Sequence, residues 1–295
     1  MVIIENNQLR NPYAIFCNDR VIEMNATWED AIAGIQAVLH RCWPVWVACS
    51  GGVDSLLLAT LAHRWAATQT TVVHAIGPAV PTAATARVRD WADREGWNLH
   101  LLDAGEYADP RYRANPIDRC YYCKSHLYEA LTALRQALGR IEGTILSGAN
   151  RDDLSDDRPG LKAAAEADVV HPFIEAGIGK REIRGIAHAL DLPFADLPAS
   201  PCLASRFYTG TPVAVEVLSA VDQAEQTIRR LTGIGVVRCR IRVDAMLIET
   251  EAVDQAAIDS QVLAAVEQVV RAVAPQIRAV MLDPKPYAMG RAHRA

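Results

Sequence analysis

Val45-Trp46-Val47-Ala48-Cys49-Ser50-Gly51-Gly52-Val53-Asp54-Ser55-Leu56 is an apolar run that breaks into Ser-Gly-Gly-x-Asp-Ser and resumes at once as a second apolar run. The order reads as strand, loop and helix. Val45 and Val47 suit a buried parallel strand, and Leu56 to Ala67 is too long and too rich in Ala and Leu for anything but a buried helix. Gly51 and Gly52 carry no Cβ, so their amides approach an anion closely. The amides opening the next helix, from Val53 on, add the positive end of its dipole. Ser50 and Ser55 offer hydroxyls to phosphate oxygens. Asp54 is a poor neighbour for phosphate unless a cation lies between them, which assigns it a magnesium ion shared with nucleotide phosphates. The loop lacks the Gly-Lys-Ser/Thr ending of a P-loop, and the chain has no Gly-x-Gly-x-x-Gly.

Outward from this loop the pattern alternates. A first helix runs over Ala31, Ile35, Val38 and Leu39 to about Arg41, with a start signal at Asn25 or Thr27. After the loop come a strand at Thr71 to Ile76, a helix from Thr82 to Glu95, a strand from Asn98 to Leu102, a helix to about Leu138 and a strand from Thr144 to Ser147. Such alternation predicts an α/β fold, a parallel sheet flanked by helices, with ligands at the carboxyl ends of the strands. Val169 to Phe173 reads as a short final strand, and Gly179 to Leu190 as a helix. Lys180 in that helix's first turn opposes the dipole, which makes sense if it points at phosphate. Asp152 and Asp153 follow the Thr144 strand, and a carboxylate here adds a second contribution to magnesium or to holding an adenylate. Capping of the next turn is the plainer alternative for that pair.

From about Phe207 the composition shifts to two helical stripes, Val213 to Leu231 and Ile258 to Val273, around a strand from Val236 to Glu249. The expected division is an N-terminal extension over 1–28, a nucleotide-binding domain over 29–199 and a smaller α+β domain over 200–295. Ile277 to Met281 reads as a last strand and Lys285 to Ala295 as a loose basic tail. Arg238, Arg240 and Arg242 alternate onto one strand face, where three guanidiniums repel one another unless an anion is present. A phosphate on an acceptor substrate fits them, and a solvated face fits nearly as well.

The chain has 295 residues, 51% of them apolar and 22% charged, with a net charge of −5. That length accommodates two units. The acidic balance gives no footprint for nucleic acid, and there is no apolar run long enough for a membrane span or signal peptide. Seven cysteines fit a reducing cytoplasm better than a disulfide scaffold. Cys120-x-x-Cys123 at a helix start lets two thiolates converge on a metal or on each other. Cys202 sits in a Pro-rich linker between the two units. Cys17, Cys42, Cys49 and Cys239 read as buried thiols.

Ser50 to Ser55 resembles the pyrophosphate loop of the ATP pyrophosphatase superfamily, whose members split ATP between its α and β phosphates and adenylate a carboxyl or carbonyl oxygen. Four further stretches resemble the LarE-type ATP-dependent sulfur transferases: Asn115 to Lys124, Gly148 to Gly160, Gly179 to Arg184 and Pro198 to Arg206. The resemblance implies ATP and Mg²⁺ on Ser50, Gly51, Gly52, Val53, Asp54, Ser55, Asp153 and Lys180, with Asp54, Lys180 and Cys202 in the chemistry. It implies a nucleotide-like acceptor near Arg206, Arg238 and Arg240, and sulfide or a sulfur-donor protein as partner. One subgroup donates the sulfur of its own linker cysteine, which Cys202 matches. Another holds a [4Fe–4S] cluster on three cysteines, and Cys120 and Cys123 place this chain there. A persulfide pair ranks second and structural zinc, with His126 or His171 as further ligand, third. Departures at Arg242 and Leu247 from the family pattern leave open thiolation of a purine nucleotide. An ammonia-using ligase and a nucleotide-binding regulator that never turns ATP over are the rival readings, and a homo-oligomer stays open.

Overall fold

The computed structural model describes residues 15–17, 20–22, 26–155 and 158–293. In chain order the elements are β1 (Ile15–Cys17), β2 (Arg20–Ile22), α1 (Ala26–Cys42), β3 (Val45–Ala48), α2 (Val53–Ala66), β4 (Thr70–Ile76), α3 (Thr82–Glu95), β5 (Leu99–Asp103), α4 (Pro110–Arg113), α5 (Arg119–Ala137) and β6 (Thr144–Ser147). There follow α6 (Pro159–Glu166), α7 (Pro172–Glu175), α8 (Lys180–Ala189), α9 (Val215–Thr232), β7 (Val237–Arg242), β8 (Ala245–Thr250), α10 (Ser260–Val273) and β9 (Ala279–Leu282). Most of the expected N-terminal extension lies outside the described residues, as do the start signal at Asn25 and the side chains of Cys17 and Thr27. The part inside is the antiparallel pair β1–β2 and the first turn of α1, which begins at Ala26.

Four parallel strands form the main sheet in the order β5-β4-β3-β6. The chain winds outward from β3 through β4 to β5, then returns to β6 on the other side of β3. The strand order therefore reverses between β3 and β6, where crossover helices diverge and leave a crevice at the carboxyl ends. Side chains alternate along β3, and both faces are covered. Val45 and Val47 pack with Ile35 and Leu39 of α1, Leu57 and Leu61 of α2 and Ile183 and Ile186 of α8. Trp46 lies on the opposite face with Leu127 and Leu131 of α5 and Ile145 of β6.

A second sheet, β7-β8-β9, carries α9 and α10 on one face, with Val217, Val221, Cys239, Ile241, Ile248 and Val266 in its core. The single strand expected over 236–249 is a hairpin that reverses at Val243 and Asp244, Val243 taking a positive φ of 58°. The residues carry the reason. Cys239 and Ile241 are odd positions, Met246 and Ile248 even, and one straight strand cannot place both pairs on one face.

Two other expectations are corrected. Only Val170 of the expected strand at Val169 to Phe173 bridges to the sheet, beside Leu146. Pro172 then opens α7, since a residue without an N–H suits a helix start and not a ladder. The tail is not loose: the Tyr287 amide donates to the Thr250 carbonyl at 2.8 Å, Arg291 Nη1 to Glu249 Oε1 at 2.8 Å, and Ala292 is buried. Among the described residues no helix is long and apolar enough to cross a membrane.

The two units are tied together by polar contacts. Asp222 of α9 reaches across to the start of α3, accepting from the Thr82 amide at 3.2 Å and its hydroxyl at 2.6 Å. The Leu203 amide donates to the Ala79 carbonyl at 2.8 Å, and Asn115 Nδ2 to the carbonyls of Tyr208 and Thr211. Arg206 is fully buried and grips Glu225 of α9 with both arms, at 2.7 and 2.8 Å. Glu225→Ala would leave that guanidinium buried without a counter-charge, and we expect a loss of about 3–5 kcal/mol in urea unfolding. A loss within ~0.5 kcal/mol would show that the linker is held by something else.

Candidate active site

Ala48 ends β3, Cys49 to Gly52 turn, and Val53 opens α2. No side chain caps that helix start, so its first amides remain available to a ligand. Gly51 has φ +81°, and a Cβ on it would lie 2.9 Å from the Ala84 carbonyl. The Ser55 hydroxyl accepts from the Ser50 amide at 3.0 Å, donates to the Gly52 carbonyl at 3.1 Å and sits 3.1 Å from the Ser50 hydroxyl. In this state Ser55 spends its bonds closing the loop, and Ser50 is the more exposed hydroxyl.

Several groups around the loop had no sequence signal strong enough to find them. Buried His74 of β4 reaches the Cys49 carbonyl with Nδ1 at 2.8 Å and the Thr85 hydroxyl with Nε2 at 2.9 Å. Burial lowers its pKa, so the ring is neutral. A carbonyl only accepts, so Nδ1 bears the proton and Nε2 accepts from Thr85. Arg87 of α3 donates to the Gly51 carbonyl at 2.6 Å. Gly148, just past β6, would place a Cβ 2.9 Å from the Ser55 amide nitrogen, so only glycine lets this loop pass α2 so closely.

Across the crevice, Asn150 Nδ2 donates to Asp54 Oδ2 at 2.9 Å, and Asp153 Oδ2 accepts from the Asn150 amide at 3.1 Å. Burial, and after it the charge of Asp153, raises the Asp54 pKa. Desolvated Asp54, beside an Asp153 whose charge is met by Arg158 at 3.0 Å, is placed to share a hard cation with the oxygens of a bound ligand. Among the described residues no group of three or more His, Cys, Asp or Glu side chains is poised to hold one ion, so protein ligands alone make no closed cage. The Asp152–Asp153 pair divides its work. Asp152 accepts from the Lys180 amide at 2.8 Å and caps α8, whereas Asp153 stands 4.0 Å from Lys180 Nζ inside the site.

The fold also brings the three cysteines into one neighbourhood, although as they stand they form no group poised to hold one metal ion. Cys120 and Cys123 occupy the first turn of α5, and Cys202 comes from the linker. Burial pushes the Cys123 thiol up to about 12. Desolvation and then the proximity of Cys202 raise Cys120. Two cations stand among them: Arg119 Nη2 lies 4.0 Å from Cys202 Sγ, and the Lys124 ammonium is within electrostatic reach of all three sulfurs. The histidines considered as a fourth zinc ligand are engaged elsewhere, His126 with Asp109 at 3.0 Å and His171 with Ser147 at 2.8 Å. Buried Glu106 adds a carboxylate beside Gly77 and within electrostatic reach of Cys123.

The charge argument for three strand arginines needs correction. Carboxylates within the protein neutralise two of the expected acceptor-binding guanidiniums: Arg206 has Glu225, and Arg240 Nε bonds Glu249 at 3.1 Å with Nη1 on the Ser205 carbonyl. Arg242 is exposed and lies over the Tyr208 ring. Arg238 is buried, bonds among the described residues only the carbonyls of Val237 and Ala199, and faces the Tyr287 ring. Burial, then repulsion from Arg206, lowers its pKa. Cys42, Cys49 and Cys239 are buried, as expected.

No family model matches the chain. An uncharacterized protein of Synechocystis is 40% identical over 203 residues, 69% of this chain and 75% of the relative. Another of Methanocaldococcus jannaschii is 30% identical over 205 residues, 70% and 77% of the two chains. The pyridinium-3,5-bisthiocarboxylic acid mononucleotide synthase of Lactiplantibacillus plantarum is 30% identical over 235 residues, 76% of this chain and 80% of that one.

Two outcomes test this site. The raised pKa means that folded Asp54 holds its proton above the pH at which the unfolded chain releases it, so stability from this group falls as pH rises beyond about 4. Asp54→Asn should therefore raise the melting temperature of the protein at pH 7. An unchanged or lower melting temperature would refute the paired-carboxylate account. Gly148→Ala should lower the melting temperature, because its Cβ would fall 2.9 Å from Ser55 backbone atoms; an unchanged value would show that the loop leaving β6 can move off α2.

Proposed function

The chain belongs to the LarE-type family of ATP-dependent sulfur transferases in the ATP pyrophosphatase superfamily, and on that premise we propose that it adenylates a small nucleotide-like acceptor and replaces the activated oxygen with sulfur. The observation that carries this reading is the meeting, at one end of one sheet, of an anion-binding loop with paired carboxylates and of three thiols with two cations, buried Arg119 and half-buried Lys124. An ammonia-using ligase would give the thiols no task.

ATP would lie with its phosphates on the amides of Gly51 to Val53, Ser50 beside them, Lys180 opposite and Mg²⁺ shared by Asp54 and Asp153. An acceptor carboxylate or carbonyl oxygen attacks the α-phosphorus, the bond to the β-phosphate oxygen breaks, and pyrophosphate leaves. A hydrosulfide-level nucleophile then adds at the activated carbon, and the C–O bond to AMP breaks as the C–S bond forms. Arg238, the expected acceptor arginine without a carboxylate partner among the described residues, supplies charge for an acceptor phosphate. Arg206 and Arg240 hold the surrounding backbone from beneath.

The three thiols suit a thiolate-bound group, since Arg119 and Lys124 offset the negative charge that three ionised sulfurs would bring together there. Cys120, Cys123 and Cys202 would hold a [4Fe–4S] cluster, whose fourth iron, without a protein ligand, supplies an open position for sulfide. The family's other device, sacrifice of Cys202, is favoured by one fact, the exposure of that residue in the linker.

Purified protein should convert ATP to AMP and pyrophosphate in the presence of acceptor, and Asp54→Ala should nearly abolish this. Release of ADP and phosphate would overturn the assignment. Cys202→Ala should stop sulfur transfer and leave pyrophosphate release intact. Iron and sulfide analysis after anaerobic purification separates the two sulfur sources, because sacrifice leaves colourless protein with residue 202 lighter by one hydrogen sulfide.

A further inference from the structure

We propose that Arg87 is a binding residue for the pyrophosphate part of ATP, a role that rests on the adenylation reading and narrows it to one leaving-group contact. The side chain is half-buried on α3, and its Nη1 donates to the Gly51 carbonyl at 2.6 Å. That bond is its only hydrogen bond among the described residues, and no carboxylate there lies within ion-pair distance. A guanidinium has five N–H donors in a rigid fork, so most of this one's capacity is left for another acceptor. Burial lowers its pKa, as expected of a cation desolvated without a counter-charge. Elsewhere in this protein the guanidiniums of Arg64, Arg206 and Arg240 each meet a carboxylate, while those of Arg119 and Arg238, which also stand by a proposed ligand site, bond amide oxygens. Arg87 stands instead on the phosphate loop.

Its position selects the phosphates it would serve. α3 packs directly on the loop, since a Cβ at Gly51 would touch Ala84 and Val88. α2 and α3 cover one face of the main sheet, whereas α5, which bears Cys120 and Cys123, covers the other. The α-phosphorus must face the acceptor, and the acceptor must face the thiols. The β and γ phosphates are therefore left above the first turn of α2, with Arg87 on the β4 flank and Lys180 on the β6 flank. The bond to the Gly51 carbonyl fixes the guanidinium plane beside the loop amides, so its free edge is presented without rotamer search.

The test is calorimetric titration of full-length wild type, Arg87→Gln and Arg87→Lys with pyrophosphate, ATP and AMP, all with Mg²⁺, with melting temperatures recorded for each protein. We expect pyrophosphate and ATP to bind Arg87→Gln on the order of tenfold to a hundredfold more weakly, the loss of a charge-assisted contact. AMP affinity and melting temperature should stay unchanged, and Arg87→Lys should recover part of the loss. Equal weakening of AMP would show a general role in loop shape and overturn the proposal, as would undiminished pyrophosphate binding in Arg87→Gln. If the wild type binds neither ATP nor pyrophosphate, the adenylation reading itself fails, which is a separable result.

Discussion

Everything at this site depends on how closely two backbones pass at the point where the sheet reverses direction. The loop leaving β6 touches the first turn of α2 at Gly148, with room for no side chain between Cα and the Ser55 amide. That contact brings Asn150 and Asp153 across to Asp54, and so joins the start of α2 to a loop 96 residues away in sequence. The helix start, with its uncapped amides, supplies the positive pole, and the carboxylates require a cation to coexist with phosphate there. A side chain at Gly148 would separate those halves and leave an ordinary turn and an ordinary helix cap.

Electrostatics follow the same economy on a larger scale. The chain is acidic as a whole, yet cations stand where an anionic substrate or anionic sulfur would arrive: Lys180 opposite the loop, Arg119 and Lys124 among the thiols, Arg238 below the linker. Other buried arginines are consumed in structure. Arg206 with Glu225, and Arg240 and Arg291 with Glu249, tie linker, strands and tail into one body. Such pairs are no strong source of stability against a hydrophobic replacement, but losing one partner is costly, which makes them effective at holding a unique arrangement. The linker that carries Cys202 is fixed in this way, so the cysteine is exposed while its neighbours Leu203, Ala204 and Arg206 are not.

Membership of the sulfur-transferase family and the geometry point the same way through independent routes. The relative from Lactiplantibacillus aligns over most of the chain. The structure separately sets three thiols beside buried Arg119 and half-buried Lys124. For the acceptor side the geometry narrows the earlier expectation: of three arginines offered for a phosphate, two already have carboxylates of their own, and Arg238 is left.

The sequence by itself determined the loop, its flanking strand and helix, and the order of the parallel units, because these rest on local signals: two glycines and an apolar period. It determined α3 to the residue, from Thr82 to Glu95. It also marked Cys120, Cys123 and Cys202, since chelating spacing and a linker position are one-dimensional facts. Tertiary structure alone decided the rest. Alternation along Val237 to Arg242 was legible, but the carboxylate that meets Arg240 comes from β8, and the one that meets Arg206 comes from α9, which no local pattern pairs with them. The tail read as loose because its anchor, Glu249, is 42 residues from Arg291. Gly148, His74 and Arg87 carry no signature of their own: each acquires its role only from what packs against it, a distance in space that sequence spacing does not encode.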